Sequence, residues 1–149
     1  MTPDVNVLVA AFRSDHPHHA VALPWLNTAL LQCGPQAEMG LLGTVIASFL
    51  RLVTNPRVFL QPTPMAQALA FVDALLSQPG VRWLPMEGEW PQLRQLYIDH
   101  PLTSNQVPDA WIAAAVLRHQ QVLVTFDRGF KRLLPSQQLL HLSPANTAF

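Results

Sequence analysis

The sequence predicts an α/β domain, a three-layer sandwich built on a mainly parallel sheet. Short apolar runs bounded by turn residues alternate with longer stretches of helical periodicity, the pattern of parallel strands joined by crossover helices. Three of the nine acidic residues, Asp4, Asp109 and Asp127, stand at the junctions where such runs give way to a helix or loop. At 149 residues, half of them hydrophobic, the chain suffices for a single domain over 1–149 with a real core, and disorder is excluded.

Taken in order, residues 1–4 form a strand stub ending at Asp4. Val5, Leu8, Val9 and Phe12 follow i, i+3, i+4, i+7 spacing and predict a first helix, with Asn6 in its first turn. A second helix is expected from near Asp15 through His19, Val21, Trp25, Leu26 and Leu30, interrupted or restarted at Pro24 and ended by Gly34-Pro35. Met39 to Leu42 reads as a short strand. The helix that follows, from about Thr44 to Val53, stops at Asn55-Pro56. Pro64 through Ser77 is helical, with Ala68, Phe71, Val72, Leu75 and Leu76 on one face. Pro79-Gly80 then turns the chain into a strand, Val81 to Leu84.

Residues 89–99 predict a helix carrying Leu93, Leu96 and Tyr97. After the loop Thr103-Ser104-Asn105, Pro108 suits the first turn of a helix over 107–119. A strand over 121–126, a basic turn at 128–132 and a last strand near 139–142 complete the chain. There is no repeat, linker or low-complexity segment.

Composition narrows the class. Charged residues are 12%, about half the usual share, so apolar surface is expected to be covered in a homodimer or by a partner. Nine basic residues balance nine acidic ones, and Lys131 is the single lysine, which is no general nucleic-acid coat. A nucleic-acid substrate stays open, because local charge decides that. Cys33 is alone, so neither an internal disulfide nor a cysteine zinc site is expected, compatible with a cytoplasmic protein. Neither a signal peptide nor a membrane span is predicted, and no membrane partner is expected.

In parallel sheets, ligand sites lie beyond the carboxyl ends of the strands. Asp4 and Asp127 fall at that edge. Asp109 reaches it from a helix start, on the face shared with Ile112, Ala113, Val116 and Leu117. Thr125 and Asp127 share a strand face. Carboxylates bordering such apolar segments need hydrogen bonds, ion pairs or a metal. Clustered, they would hold a hard divalent cation, Mg²⁺ or Mn²⁺. Singly, Asp109 also suits a helix dipole and Asp127 a turn.

Arg51 shares a helical face with Ser48 and is read either as a phosphate-holding group or as a surface arginine. Arg128, Lys131 and Arg132 follow Asp127 and would track an RNA backbone, or simply decorate a solvated turn. In Asp15-His16-Pro17-His18-His19 no two histidines are four apart, so a solvated helix start is expected rather than a metal site. Trp25, Trp83, Trp90 and Trp111 are expected as core or dimer anchors.

Four blocks occur in order: Asp4-Val5-Asn6-Val7-Leu8, Phe49-Leu50-Arg51-Leu52-Val53-Thr54-Asn55-Pro56-Arg57-Val58-Phe59, Asp109-Ala110-Trp111-Ile112-Ala113-Ala114-Ala115, and Thr125-Phe126-Asp127-Arg128-Gly129-Phe130. Together they resemble the PIN-domain ribonucleases, specifically the VapC-type toxins of bacterial toxin–antitoxin pairs, over essentially the whole chain. The resemblance implies a Mg²⁺- or Mn²⁺-dependent endoribonuclease acting on RNA, a homodimer and a cognate antitoxin. It places Asp4, Asp109 and Asp127 on the family's acidic, metal-holding positions, and Asn6 and Thr125 on its supporting polar ones. Ser48 stands where many PIN domains carry a glutamate, and Glu38 is no evident replacement. Ser48 therefore keeps a second reading open, a catalytically weak PIN domain that binds RNA or protein. A small phosphohydrolase with Asp4 as nucleophile lacks a suitably placed lysine.

Overall fold

The computed structural model describes residues 1–143. Its strands are β1 (Thr2–Pro3), β2 (Met39–Leu42), β3 (Val81–Leu84), β4 (Leu123–Thr125) and β5 (Leu139–His141). Its helices are α1 (Val5–Phe12), α2 (His19–Gln32), α3 (Gly43–Val53), α4 (Met65–Leu76), α5 (Trp90–Asp99) and α6 (Val107–Arg118). Every ladder is parallel: β2 with β3, and β4 with both β1 and β5. The two sets meet where the Gly40 N–H donates to the Met1 carbonyl at 2.9 Å and the Thr2 hydroxyl donates to the Gly40 carbonyl at 2.5 Å. The strand order is thus β3-β2-β1-β4-β5. The chain runs outward from β1 in both directions, so the topological switch lies beside β1, where open α/β sheets form their crevice.

The core explains why the sheet edge is held firmly. Val7 to Ala11 of α1 are buried, and the rings of Phe12, Phe49 and Phe71 meet with centroids 4.8–5.4 Å apart, tying α1 to α3 and α4. Such aromatic pairs add to area burial through edge and offset contacts. Helix α6 packs on α5 and buries Ala110 and every residue from Ile112 to Val116. Its first turn is thereby fixed, and with it Asp109.

Two expectations need correction and a third, that the tryptophans are core or dimer anchors, loses its core alternative for three of the four. Helix α2 starts at His19, not near Asp15, because residues 13–18 form a tethered turn. The Arg13 guanidinium grips both Asp15 oxygens at 2.9 and 2.6 Å, donates to the Gln61 carbonyl and the Thr63 hydroxyl, and lies 4.2 Å over the Phe59 ring. Pro24 neither interrupts nor restarts α2. Pro24 and Ala20 are both exposed, so the carbonyl that loses its partner faces water. Of the tryptophans only Trp25 packs against the core. Trp83, Trp90 and Trp111 are 47%, 61% and 36% exposed and are not core residues. No helix among the described residues is long and apolar enough to cross a membrane.

Candidate active site

Asp4 is the centre of the site. It follows β1 directly, and its backbone N–H donates to the Val124 carbonyl at 2.8 Å, so the neighbouring strand sets its position. Its side chain caps α1, Oδ1 accepting from the Val5 N–H at 2.7 Å. Oδ2 accepts from Asn6 Nδ2 at 2.9 Å and from the Thr125 hydroxyl at 2.6 Å. Asp4 is only 3% exposed. Burial, with a smaller push from the charges of Asp109 and Asp127, raises its carboxyl to about 6 against the lowering effect of the Thr125 and Val5 hydrogen bonds.

Thr125 joins the two ends of the chain. Fully buried, it donates to Asp4 and accepts from Asn6 Nδ2 at 3.0 Å and from the Asp127 N–H at 3.0 Å. Asn6 Oδ1 accepts from the Phe126 N–H at 3.2 Å. Asn6 and Thr125, expected as supporting polar residues, hydrogen-bond the exit of β4 to the start of α1. Beyond them the Asp127 carboxylate curls back, Oδ1 accepting from the Gly129 N–H at 2.7 Å. A Cβ on Gly129 would lie 3.0 Å from that same oxygen, so glycine leaves the carboxylate its room.

Asp109 sits half-buried in the first turn of α6, where the helix dipole favours negative charge. Burial raises its carboxyl above the ordinary range, and the Asp127 charge adds to that. The three aspartates thus lie within electrostatic reach of one another at the carboxyl end of the sheet. Among the described residues, no three His, Cys, Asp or Glu side chains are gathered tightly enough to cage a metal unaided. The donor set nevertheless fits Mg²⁺ or Mn²⁺ in kind. It consists of hard carboxylate oxygens that repel one another, and Mg²⁺ keeps several waters and needs only one or two carboxylates. A cation would offset the burial of charge on Asp4, the main cause of its raised carboxyl, and the smaller repulsion from Asp109 and Asp127.

The remaining expected residues divide. Ser48 lines a cleft of about 560 Å³ with Thr44, Met86, Pro108 and Trp111, and so shares a wall with the residue preceding Asp109. Arg51 is exposed and makes no ion pair or hydrogen bond with any described residue. Arg128, Lys131 and Arg132 are exposed on the turn that follows Asp127, with no described ion-pair partner.

The residues that sequence reasoning missed are histidines. The ring expected to be a solvated helix start, His18, stacks on Phe126 with centroids 4.7 Å apart and planes 23° from parallel. His141 Nε2 lies 2.9 Å from the Phe126 carbonyl. No local spacing reveals the first contact, since Phe126 is more than a hundred residues from His18, and the second exists only because β5 pairs with β4.

A family model described as "PIN domain" matches residues 1–133. Ribonuclease VapC31 of Mycobacterium tuberculosis is 40% identical over 136 residues, spanning 87% of this chain and 89% of that protein. Ribonuclease VapC43 of the same organism is 41% identical over 130 residues, spanning 87% and 86%. Among solved structures, VapBC2 from Rickettsia felis, bound to a promoter DNA fragment, superposes with a TM-score of 0.65. It covers 94% of this chain and 96% of that one at 17% identity, a likeness of fold.

Proposed function

We propose, because this chain belongs to the PIN-domain family and to its VapC-type group, that it is a metal-dependent endoribonuclease, the toxin of a type II toxin–antitoxin pair. The observation that carries the reading is geometric: Asn6 and Thr125 tie Asp4 and the backbone of Asp127 together at the switch point of a parallel sheet. The ribonuclease names of relatives at 40% identity support it.

Asp4 and Asp109 would be the principal ligands of Mg²⁺ or Mn²⁺, with Asp127 completing the shell. Held there, a cation would lower the pKa of a water and offset the charge building on the scissile phosphate. The chain's own groups provide position. Thr125 and Asn6 hold the Asp4 carboxylate fixed and set the backbone that carries Asp127. Such preorganisation matters because a charged group free to turn would lose its alignment as the reaction charge develops. Arg128, Lys131 and Arg132 track the RNA backbone from the adjoining turn, and Arg51 reaches it from α3. With Ser48 in place of a glutamate, the shell would be one carboxylate shorter.

The protein would act in the cytoplasm as a homodimer and be held inactive by a cognate antitoxin, as the resemblance implies. Exposed Trp83, Trp90, Trp111 and Ile98 support a covered apolar face. The test is cleavage of RNA by purified protein in EDTA and after addition of Mn²⁺. Cleavage that is absent in EDTA and restored by Mn²⁺ is expected. Equal cleavage in both conditions refutes metal dependence, and RNA binding with no cleavage in either establishes the binding-module alternative.

A further inference from the structure

Several hydrogen bonds hold the turn between α1 and α2, which makes the ring groups left unpaired among the described residues conspicuous. Arg13 binds Asp15, Gln61 and Thr63. The His16 N–H donates to the Arg13 carbonyl at 3.1 Å, the His19 N–H donates to the His16 carbonyl at 3.0 Å, and His19 Nδ1 lies 2.9 Å from the Ala10 carbonyl. Pro17 restricts the backbone between His16 and His18. His18 occupies the N-cap of α2, yet its ring makes no capping hydrogen bond and lies on Phe126 instead. The His16 ring continues the row, 5.5 Å from that of His18. Phe126 stands between Thr125 and Asp127, so the row begins at the acidic site and leads away from it.

The hydrogen bonds settle the tautomer of His16. Its Nδ1 accepts from the His18 backbone N–H at 3.1 Å, so in the neutral ring the proton sits on Nε2. Nε2–H has no partner among the described residues. Burial and the neighbouring His18 hold His16 below the usual histidine range, which keeps it in this neutral, singly donating form. A site of three carboxylates repels the phosphates of its own substrate, and a fixed neutral donor with flanking rings suits the strand on either side of the reacting phosphate.

We propose that the row of rings Phe126, His18 and His16 is a binding surface for the RNA strand beside the bond to be cut, with His16 Nε2–H donating to a sugar–phosphate oxygen. The inference rests on the ribonuclease reading, and the experiment separates the two. Cleavage of a single-stranded RNA by the full chain in Mn²⁺ is measured for wild type, His16→Phe and His16→Gln, with melting temperatures alongside. His16→Phe keeps a flat ring but has no donor, and should raise KM about fivefold, as loss of one hydrogen bond does, with kcat changed less than about twofold. His16→Gln, whose amide N–H reaches about as far as Nε2, should restore KM. A purely structural role acts through Nδ1, which the Gln carbonyl can partly replace; it would make KM change in step with melting temperature across the variants, and that result overturns the proposal. An unchanged KM in His16→Phe also overturns it, as does weakened self-association with unchanged KM, which would mark a protein contact instead. A wild-type protein that neither binds nor cuts RNA removes the ribonuclease reading itself.

Discussion

Replacing Asp4 by asparagine should stabilise the metal-free protein at neutral pH and do the reverse in acid. The Asp4 carboxyl titrates at about 6 in the fold against an ordinary 3.8. At about 1.4 kcal/mol per pKa unit, keeping it ionised inside the fold costs about 3 kcal/mol. The folded state therefore binds a proton between pH 3.8 and 6 that the unfolded chain has already lost. Stability contributed by this group falls as pH rises through that window, and the full cost is present above pH 6. The replacement amide carries no charge and escapes it. Asparagine is still a good N-cap for the Val5 N–H, but its amide cannot accept from both Asn6 and Thr125, which costs about 1 kcal/mol. The net expectation in EDTA is a gain of about 2 kcal/mol at pH 8 and a loss of about 1 kcal/mol near pH 3.5. For a domain of this size that swing is about 6–12 °C in the difference between melting temperatures. Thermal unfolding of both proteins across that pH range is the assay. A difference that does not vary with pH would refute the claim that burial of an ionised Asp4 strains the fold.

Three further outcomes follow from the same geometry. Thr125→Val leaves Asp4, Asn6 and the Asp127 N–H each short of a partner in a dry site, so stability should fall by about 1–3 kcal/mol in denaturant titration, while Thr125→Ser recovers most of it. Gly129→Ala sets a methyl 3.0 Å from Asp127 Oδ1 and should cut RNA cleavage at least tenfold with little change in melting temperature; full activity would show that Asp127 need not hold its position. Ser48→Glu adds a carboxylate beside the cleft that Pro108 also lines, and calorimetric titration should show tighter Mn²⁺ binding. Unchanged affinity would place Ser48 outside the metal's surroundings.

Most of the fold was legible because its signals are local. The spacing of Val5, Leu8, Val9 and Phe12, the stops at Asn55-Pro56 and Pro79-Gly80, and the apolar runs at 39–42 and 81–84 each place an element within a residue or two. Pro24 misled because the cost of a proline inside a helix depends on whether the orphaned carbonyl sees water, and exposure is a property of the fold. The three aspartates were legible as residues at element junctions, because local helix and turn signals mark each junction. The Asp4–Asn6–Thr125 network was readable only in outline, since it joins positions about 120 residues apart and exists only once β1 pairs with β4. The stacking of His18 on Phe126 gave no sequence signal, because neither residue has a periodic partner. The sequence alone does not separate a core tryptophan from a surface anchor, and Trp83, Trp90 and Trp111 are exposed on β3, α5 and α6.

The central claim is that Asp4, Asp109 and Asp127 act as one unit in cutting RNA. A variant cycle on Mn²⁺-dependent cleavage rates tests it most directly, using Asp4→Asn, Asp109→Asn and the double replacement. Residues that work as a unit are strongly non-additive. Each single variant should therefore lose several orders of magnitude, and the double should be little slower than the slower single. Cleavage that survives either single replacement, or losses that simply multiply in the double, would contradict the account.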